Sequence, residues 1–190
     1  MKTYIYMVRH GESPKTEGNE RTRGLTDKGR SDANKVTELL IDEGIDTYVS
    51  SPYRRAILTI EELAQSFDKE ILVFEELREM IFLSDDKVMA DKELYPTVKK
   101  MFSDSNFLLP GGESSTICQN RSVAALKEIL KKYKGQKVVI GTHGMVMTLM
   151  MGYFDSKYDF DFLIQTSKPD IYRMEFDDED LIETKRLWKD

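Results

Sequence analysis

Two periodicities divide this 190-residue chain. The opening residues Thr3, Tyr4, Ile5, Tyr6, Met7 and Val8 carry no charge and are rich in β-formers, which predicts a buried strand over residues 3–9, ended by Arg9. Pro14, Gly18, Asn19 and Gly24 then mark a loop of about 15 residues. Thr26 is an N-cap with Asp27 in the first turn, and Ala33, Val36, Leu39 and Leu40 recur at helical spacing until Gly44 stops the run. A short strand over 46–50 leads to Ser51-Pro52, a cap-plus-proline helix start with Ala56, Ile57, Ile60, Leu63 and Ala64 as its buried stripe. A third strand covers 71–74. Residues 75–110 are less regular, carry one helix near 92–102, and form an inserted lid within a single domain spanning 1–190. Pro110-Gly111-Gly112 precedes a helix capped by Ser114 or Ser115 and running to about residue 134. A strand over 137–141, a helix over 145–151 and a closing pair of strands over 170–176 and 181–187 complete the pattern.

Strands that alternate with helices predict an α/β domain around a mostly parallel sheet, whose ligands bind at the carboxyl ends of the strands. Composition narrows the classes further. Apolar residues at 40% and charged residues at 33% suit a globular chain with a polar surface. Cys118 is the single cysteine, so disulfide frameworks and cysteine-based zinc sites are excluded, and it is expected to be a buried, inert thiol. The net charge of −6 argues against nucleic acid as a partner. No apolar run approaches a membrane span, and the first one is too short for a signal-peptide core, so no membrane partner is expected and the cytosol is the expected compartment. A small anionic substrate remains open, because a local arginine cluster overrides the net field nearby.

Three predicted strand-to-helix junctions carry unusual residues: Arg9-His10-Gly11-Glu12, Ser50-Ser51-Pro52-Tyr53-Arg54-Arg55-Ala56, and Gly141-Thr142-His143-Gly144. The chain has two histidines, and each ends a strand and precedes a glycine. A neutral imidazole can attack phosphorus, and the positive charge of Arg9 and Arg55 favours the neutral form. Arginine forks and a second, protonated histidine suit the negative charge spread over a transferring phosphoryl group. A metal centre on His10, His143 and a carboxylate is the competing arrangement. Arg9 is a poor neighbour for a dication, and neither histidine has a paired ligand spacing.

Arg9-His10-Gly11-Glu12 after an N-terminal strand resembles the signature of the histidine phosphatase superfamily, which includes the cofactor-dependent phosphoglycerate mutases. Further segments in order carry the resemblance along nearly the whole chain: Gly24-Leu25-Thr26-Asp27-Lys28-Gly29-Arg30, the Ser50–Ala56 junction, Leu77-Arg78-Glu79, Pro110-Gly111-Gly112-Glu113-Ser114 and Thr142-His143-Gly144. The resemblance implies a three-layer α/β/α sandwich, with His10 as the nucleophile that becomes phosphohistidine. Arg9, Arg55 and His143 would bind the phosphoryl oxygens. Glu79 would be the proton donor to the leaving oxygen and then the base for water, near Ile81 and Phe82. No cofactor and no metal are implied.

The early loop departs from the family pattern. It is short, and Asn19 lies later than the family's asparagine. Ser13 or Thr16 is a candidate hydroxyl ligand in its place, and Arg21 and Arg23 are candidates either for the substrate or for solvated loop charges. Leu77-Arg78-Glu79-Met80 also lacks the Gly and Trp that often follow in the family. Mutases of the family are longer, with extra substrate-gripping segments, so a compact chain with a short loop is expected to be a phosphatase acting on a small phosphorylated substrate or a phosphorylated protein. Phosphoglycerate mutase is the alternative enzyme, and a non-catalytic phosphate-binding or regulatory protein of the same fold the alternative class. The sequence leaves monomer and homodimer equally open.

Overall fold

The computed structural model describes residues 1–189; Asp190, the last residue of the expected domain, and the side chain of Asp85 in the expected lid lie outside that description. Strands β1 (Lys2–Arg9), β2 (Thr47–Ser50), β3 (Ile71–Val73), β4 (Lys137–Thr142), β5 (Asp170–Asp177) and β6 (Asp180–Arg186) form one sheet in the order β3-β2-β4-β1-β5-β6. The first four are parallel, β5 runs antiparallel to β1, and β6 antiparallel to β5. The helices are α1 (Asp27–Leu40), α2 (Arg54–Gln65), α3 (Asp91–Ser103), α4 (Ser115–Lys132), α5 (Gly144–Phe154) and α6 (Phe160–Gln165).

Strand periodicity divides the core into two layers. On β1, Tyr6 and Val8 point to one face and pack with Val36 and Leu40 of α1 and Ile60 and Leu63 of α2. Ile5 and Met7 point to the other and pack with Leu126 and Ile129 of α4 and Val146 and Met150 of α5. Each such fully buried aliphatic side chain contributes about 1.5–3 kcal/mol. Helix α5 is buried from Gly144 to Met151, as a helix enclosed on all sides must be. The result is the expected α/β/α sandwich. Residues 75–110 include α3, and their Leu77, Met80, Val98 and Met101 join the core beside α4 and α5. Cys118 lies in that core too, and burial pushes its thiol up. Among the described residues no helix is long and apolar enough to cross a membrane.

The caps account for the helix starts. Thr26 Oγ1 accepts from Gly29 N at 3.0 Å, and Ser114 Oγ accepts from Ile117 N at 3.3 Å. Ser51-Pro52 does not start α2 as expected. The helix begins at Arg54 after Tyr53, and Ser51 Oγ accepts from Tyr53 N at 3.2 Å, turning the chain before the helix instead of capping it. The six-residue α6, capped by Asp159, is an element the periodicity does not reveal, because fewer than two turns leave no repeat to detect.

Candidate active site

Parallel pairing decides what meets at the end of the sheet. The register sets Arg9 beside Thr142 and Ser50 beside Gly141, so β1, β4 and β2 end side by side. His10 N donates to Thr142 O at 3.0 Å, and Ser51 N to Gly141 O at 2.9 Å, which extends the ladder one residue into each junction. The two imidazole rings consequently lie 5.3 Å apart, centroid to centroid. Strand β5 runs the other way, with Asp170 beside Arg9, so the segment leading into it, Thr166 to Pro169, arrives at the same place.

His10 is buried with Nδ1 2.6 Å from Gly11 O. A carbonyl only accepts, so Nδ1 donates and Nε2 keeps its lone pair. Nε2 accepts from Arg55 Nε at 3.2 Å. Burial, then Arg55 and Arg9, hold His10 well below the ordinary imidazole range, and hence neutral. His143 is also buried, with Nε2 2.7 Å from Ser51 Oγ, Tyr53 edge-on to its ring at 5.2 Å, and Nδ1 without a protein partner. Burial, Arg55 and His10 lower it well below its usual range as well. Desolvation and the guanidiniums therefore favour the neutral form of His143, where the sequence suggested a protonated one. With the Ser51 hydroxyl donating to Nε2, Nδ1 carries the proton; His143 itself lines neither cavity at the site, and its ring meets the site through His10.

Three arginines crowd these rings, and all are buried: Arg55 is 1% exposed, Arg23 7% and Arg9 9%. Arg55 donates from Nη1 to Glu20 O and from Nη2 to Glu20 Oε2 at 2.8 Å. Arg23 donates to the same carboxylate, and its Nε has no protein partner. Arg9 donates to both oxygens of Thr166, while its Nε too lacks a partner and its guanidinium lies over Gly144. A Cβ on Gly144 would stand 2.7 Å from Arg9 Nη2, so only glycine admits this approach. Burial and the charge of Arg23 lower Arg55 to about 10. In a chain of net charge −6, a site this rich in buried cations has the electrostatics of an anion receptor.

Glu79 closes the site from the 75–110 segment. Its Oε1 accepts from Met80 N at 2.8 Å and Val146 N at 3.0 Å, and its Oε2 from Met145 N at 3.1 Å. Two of these donors belong to the first turn of α5, a favourable place for a carboxylate. Phe82 is near as expected, whereas the Ile81 N–H turns away to Glu113. The Glu79 segment is clamped by Arg121, which donates to the carbonyls of Glu76, Arg78 and Glu79 and pairs with Glu113.

A cavity of about 120 Å³ brings together Arg9, His10, Arg23, Arg55, Glu79 and Ser13. It opens into a larger one of about 510 Å³ between α3 and α6, and Arg9, Glu79, Phe82, Leu94, Gly144 and Lys168 line both. Of the four loop candidates, Arg23 and Ser13 reach the smaller cavity, although Ser13 Oγ also donates to Gly24 O at 2.6 Å. The other two do not reach it. Thr16 is exposed and lines neither cavity. Arg21 is drawn away by Glu75, at 2.7 and 3.1 Å, and lies over the Tyr53 ring. Sequence reasoning missed Glu20, Thr166 and Lys168. Lys168 is solvent-exposed along the residue but has its ammonium at the cavity, where partial desolvation and then Arg9 and Lys15 lower it to about 8. An antiparallel β5 beside β1 is the signal that would have found Thr166 and Lys168, since it returns the chain to the His10 end. Among the described residues no three His, Cys, Asp or Glu side chains gather as metal ligands.

Known proteins resemble this chain. Residues 5–187 match the family described as histidine phosphatase superfamily (branch 1). Phosphoglycerate mutase-like protein 4 of Arabidopsis thaliana is 34% identical over 156 residues, 75% of this chain and 67% of the relative. Phosphoserine phosphatase 1 of Hydrogenobacter thermophilus is 28% identical over 157 residues, 77% and 73% of the two chains. Among solved structures, a phosphoserine phosphatase mutant from Entamoeba histolytica in complex with phosphoserine superposes with a TM-score of 0.80 at 21% identity, covering 97% of this chain and 96% of that one. Bacillus stearothermophilus YhfR superposes with a TM-score of 0.78 at 24% identity, covering 95% and 94%. The motif order, the sheet that aligns it and the extent of the match together make this chain a member of branch 1 of the histidine phosphatase superfamily.

Proposed function

We propose that the protein hydrolyses a phosphomonoester through a phosphohistidine on His10, without a metal ion. The observation that carries this reading is the state of His10: Nδ1 is spent on Gly11 O, and the neutral ring, its Nε2 accepting from Arg55 Nε, lines a cavity walled by Arg9, Arg23 and Arg55, with the His143 ring beside it. The phosphoryl group sits among these cations with its ester oxygen toward Glu79. Nε2 attacks phosphorus as the P–O(ester) bond breaks, and Glu79 gives its proton to the departing alkoxide oxygen. The arginines hold the equatorial oxygens as charge spreads over them. Once the alcohol leaves, the Glu79 carboxylate takes a proton from water, whose oxygen attacks phosphorus and breaks the P–Nε2 bond. Inorganic phosphate departs, and His10 is again neutral with Glu79 protonated.

Phosphatase-named relatives support hydrolysis as the net reaction. Relatives named as mutases keep transfer to a second acceptor as the alternative outcome for the same phosphoenzyme. The presence of Glu79 at the His10 cavity speaks against a protein that only binds phosphate. The test is hydrolysis of p-nitrophenyl phosphate in excess EDTA, with trapping of labelled phosphoenzyme by an alkaline quench, in which the P–N bond survives. Wild type is expected to turn over and to trap label, and His10→Ala to do neither. Activity abolished by EDTA and restored by a divalent cation would overturn the mechanism.

A further inference from the structure

The larger cavity carries information about the alcohol half of the substrate. It continues directly from the phosphoryl site and passes between α3 and α6, where Tyr95, Val98, Met145, Phe160, Leu163 and Ile164 form its far walls. Tyr95 and Phe160 meet edge to face at 5.3 Å, which joins the two helices across it. Most polar groups on these walls are already engaged: Asp91 with Lys15, Thr166 with Arg9 and Leu163 O, and Glu79 with three backbone N–H groups; the Tyr95 hydroxyl, on the exposed outer side, is the exception. Lys168 stands at the junction with the phosphoryl site, on the inner side of the cavity. At the outer side Tyr95 and Ile164 remain 53% and 50% exposed, large apolar surfaces that an apolar ligand would cover.

From these features we infer that the substrate is a phosphomonoester with a bulky apolar alcohol, an extended alkyl or aryl group, lodged between α3 and α6. The inference rests on the phosphatase reading and adds a substrate class to it. A short alcohol decorated with hydroxyl, amino or carboxylate groups would fill little of a space of about 510 Å³ and find few unengaged hydrogen-bonding partners on its far walls. An apolar one gains with each methylene removed from water, by up to about fourfold in kcat/KM per methylene if the gain is fully expressed in the transition state.

A homologous series of n-alkyl phosphates from ethyl to octyl separates binding from leaving-group chemistry, because the basicity of the leaving oxygen hardly changes along it. The expected result is a kcat/KM that rises about two- to fourfold per methylene and levels off once the cavity is full, with octyl phosphate well ahead of phosphoserine and 3-phosphoglycerate. Two variants locate the effect. Ile164→Asp, at the exposed mouth, should flatten the octyl-to-ethyl ratio by placing a charge against the chain. Leu94→Trp should cap the series at shorter lengths by filling the space. A flat series in wild type, or phosphoserine or 3-phosphoglycerate surpassing octyl phosphate, would overturn the inference while leaving the phosphatase reading in place. Absence of turnover with every phosphomonoester, p-nitrophenyl phosphate included, would overturn both.

Discussion

Acidification from about pH 7.5 to about pH 5.5 should destabilise the fold, by up to about 2.7 kcal/mol, through His10 and His143 alone. Both rings are buried and are held neutral, first by desolvation and then by the guanidiniums around them. In the unfolded chain each titrates near 6.5. Below that value the unfolded state binds protons that the folded state refuses, so stability is complete above about pH 6.5 and falls as the pH drops. Linkage sets an upper limit of about 1.4 kcal/mol per histidine over these two pH units, reached when the folded state takes up no proton, a sizeable part of a typical net stability of about 5–15 kcal/mol. Carboxylates titrate in the same window, so the comparison is with a His10→Gln/His143→Gln double variant, in which that background persists and the histidine contribution is gone. Guanidinium denaturation at the two pH values, in a buffer free of phosphate and sulfate so that no anion pairs with the site, gives the difference directly. Equal pH dependence in the two proteins, within about 0.5 kcal/mol, would show that the histidines titrate normally in the fold and would remove the argument for a neutral nucleophile.

Three other outcomes follow from the site. Arg55→Lys should lower kcat/KM by about 10²–10³-fold, because one ammonium cannot replace three nitrogens directed at His10 Nε2, Glu20 O and Glu20 Oε2 while also meeting a phosphoryl oxygen; steady-state kinetics within about threefold of wild type would refute that. Gly144→Ala should lose at least about tenfold in kcat/KM by displacing Arg9, yet melt within a few degrees of wild type, since alanine is the better helix former; a thermal melt alongside kinetics separates the two. Lys168 carries its charge below about pH 8 and loses it above, so KM in wild type should rise between about pH 7 and 9.5, and Lys168→Met should remove that rise.

Much of the site was legible in the order of the chain, because its anchors lie where strands end. His10, His143 and Arg55 follow recognisable β-strands, and parallel pairing brings such ends together whatever lies between them in sequence. Thr26 could be named as a cap, and the second cap narrowed to Ser114 or Ser115, because a cap acts within three residues of itself. Ser51-Pro52 has the same local appearance, but Ser51 serves the turn and the His143 ring, a contact 92 residues away. The short loop after His10 was the least legible segment. Among its charged and hydroxyl side chains nothing local distinguishes Arg23, which enters the site, from Arg21, which Glu75 captures from 54 residues away.

The sequence by itself therefore determined most of the elements, a mostly parallel sheet and which three junctions gather the histidines and arginines, since each depends on short-range patterns of burial, capping and chain reversal. Only the tertiary structure decided the burial of the second histidine, the partners of Arg55 and the shape of the space beyond Glu79. Those depend on desolvation and charge summed over groups remote in sequence, and on α6, a helix too short to announce itself, closing against α3 to make an apolar chamber.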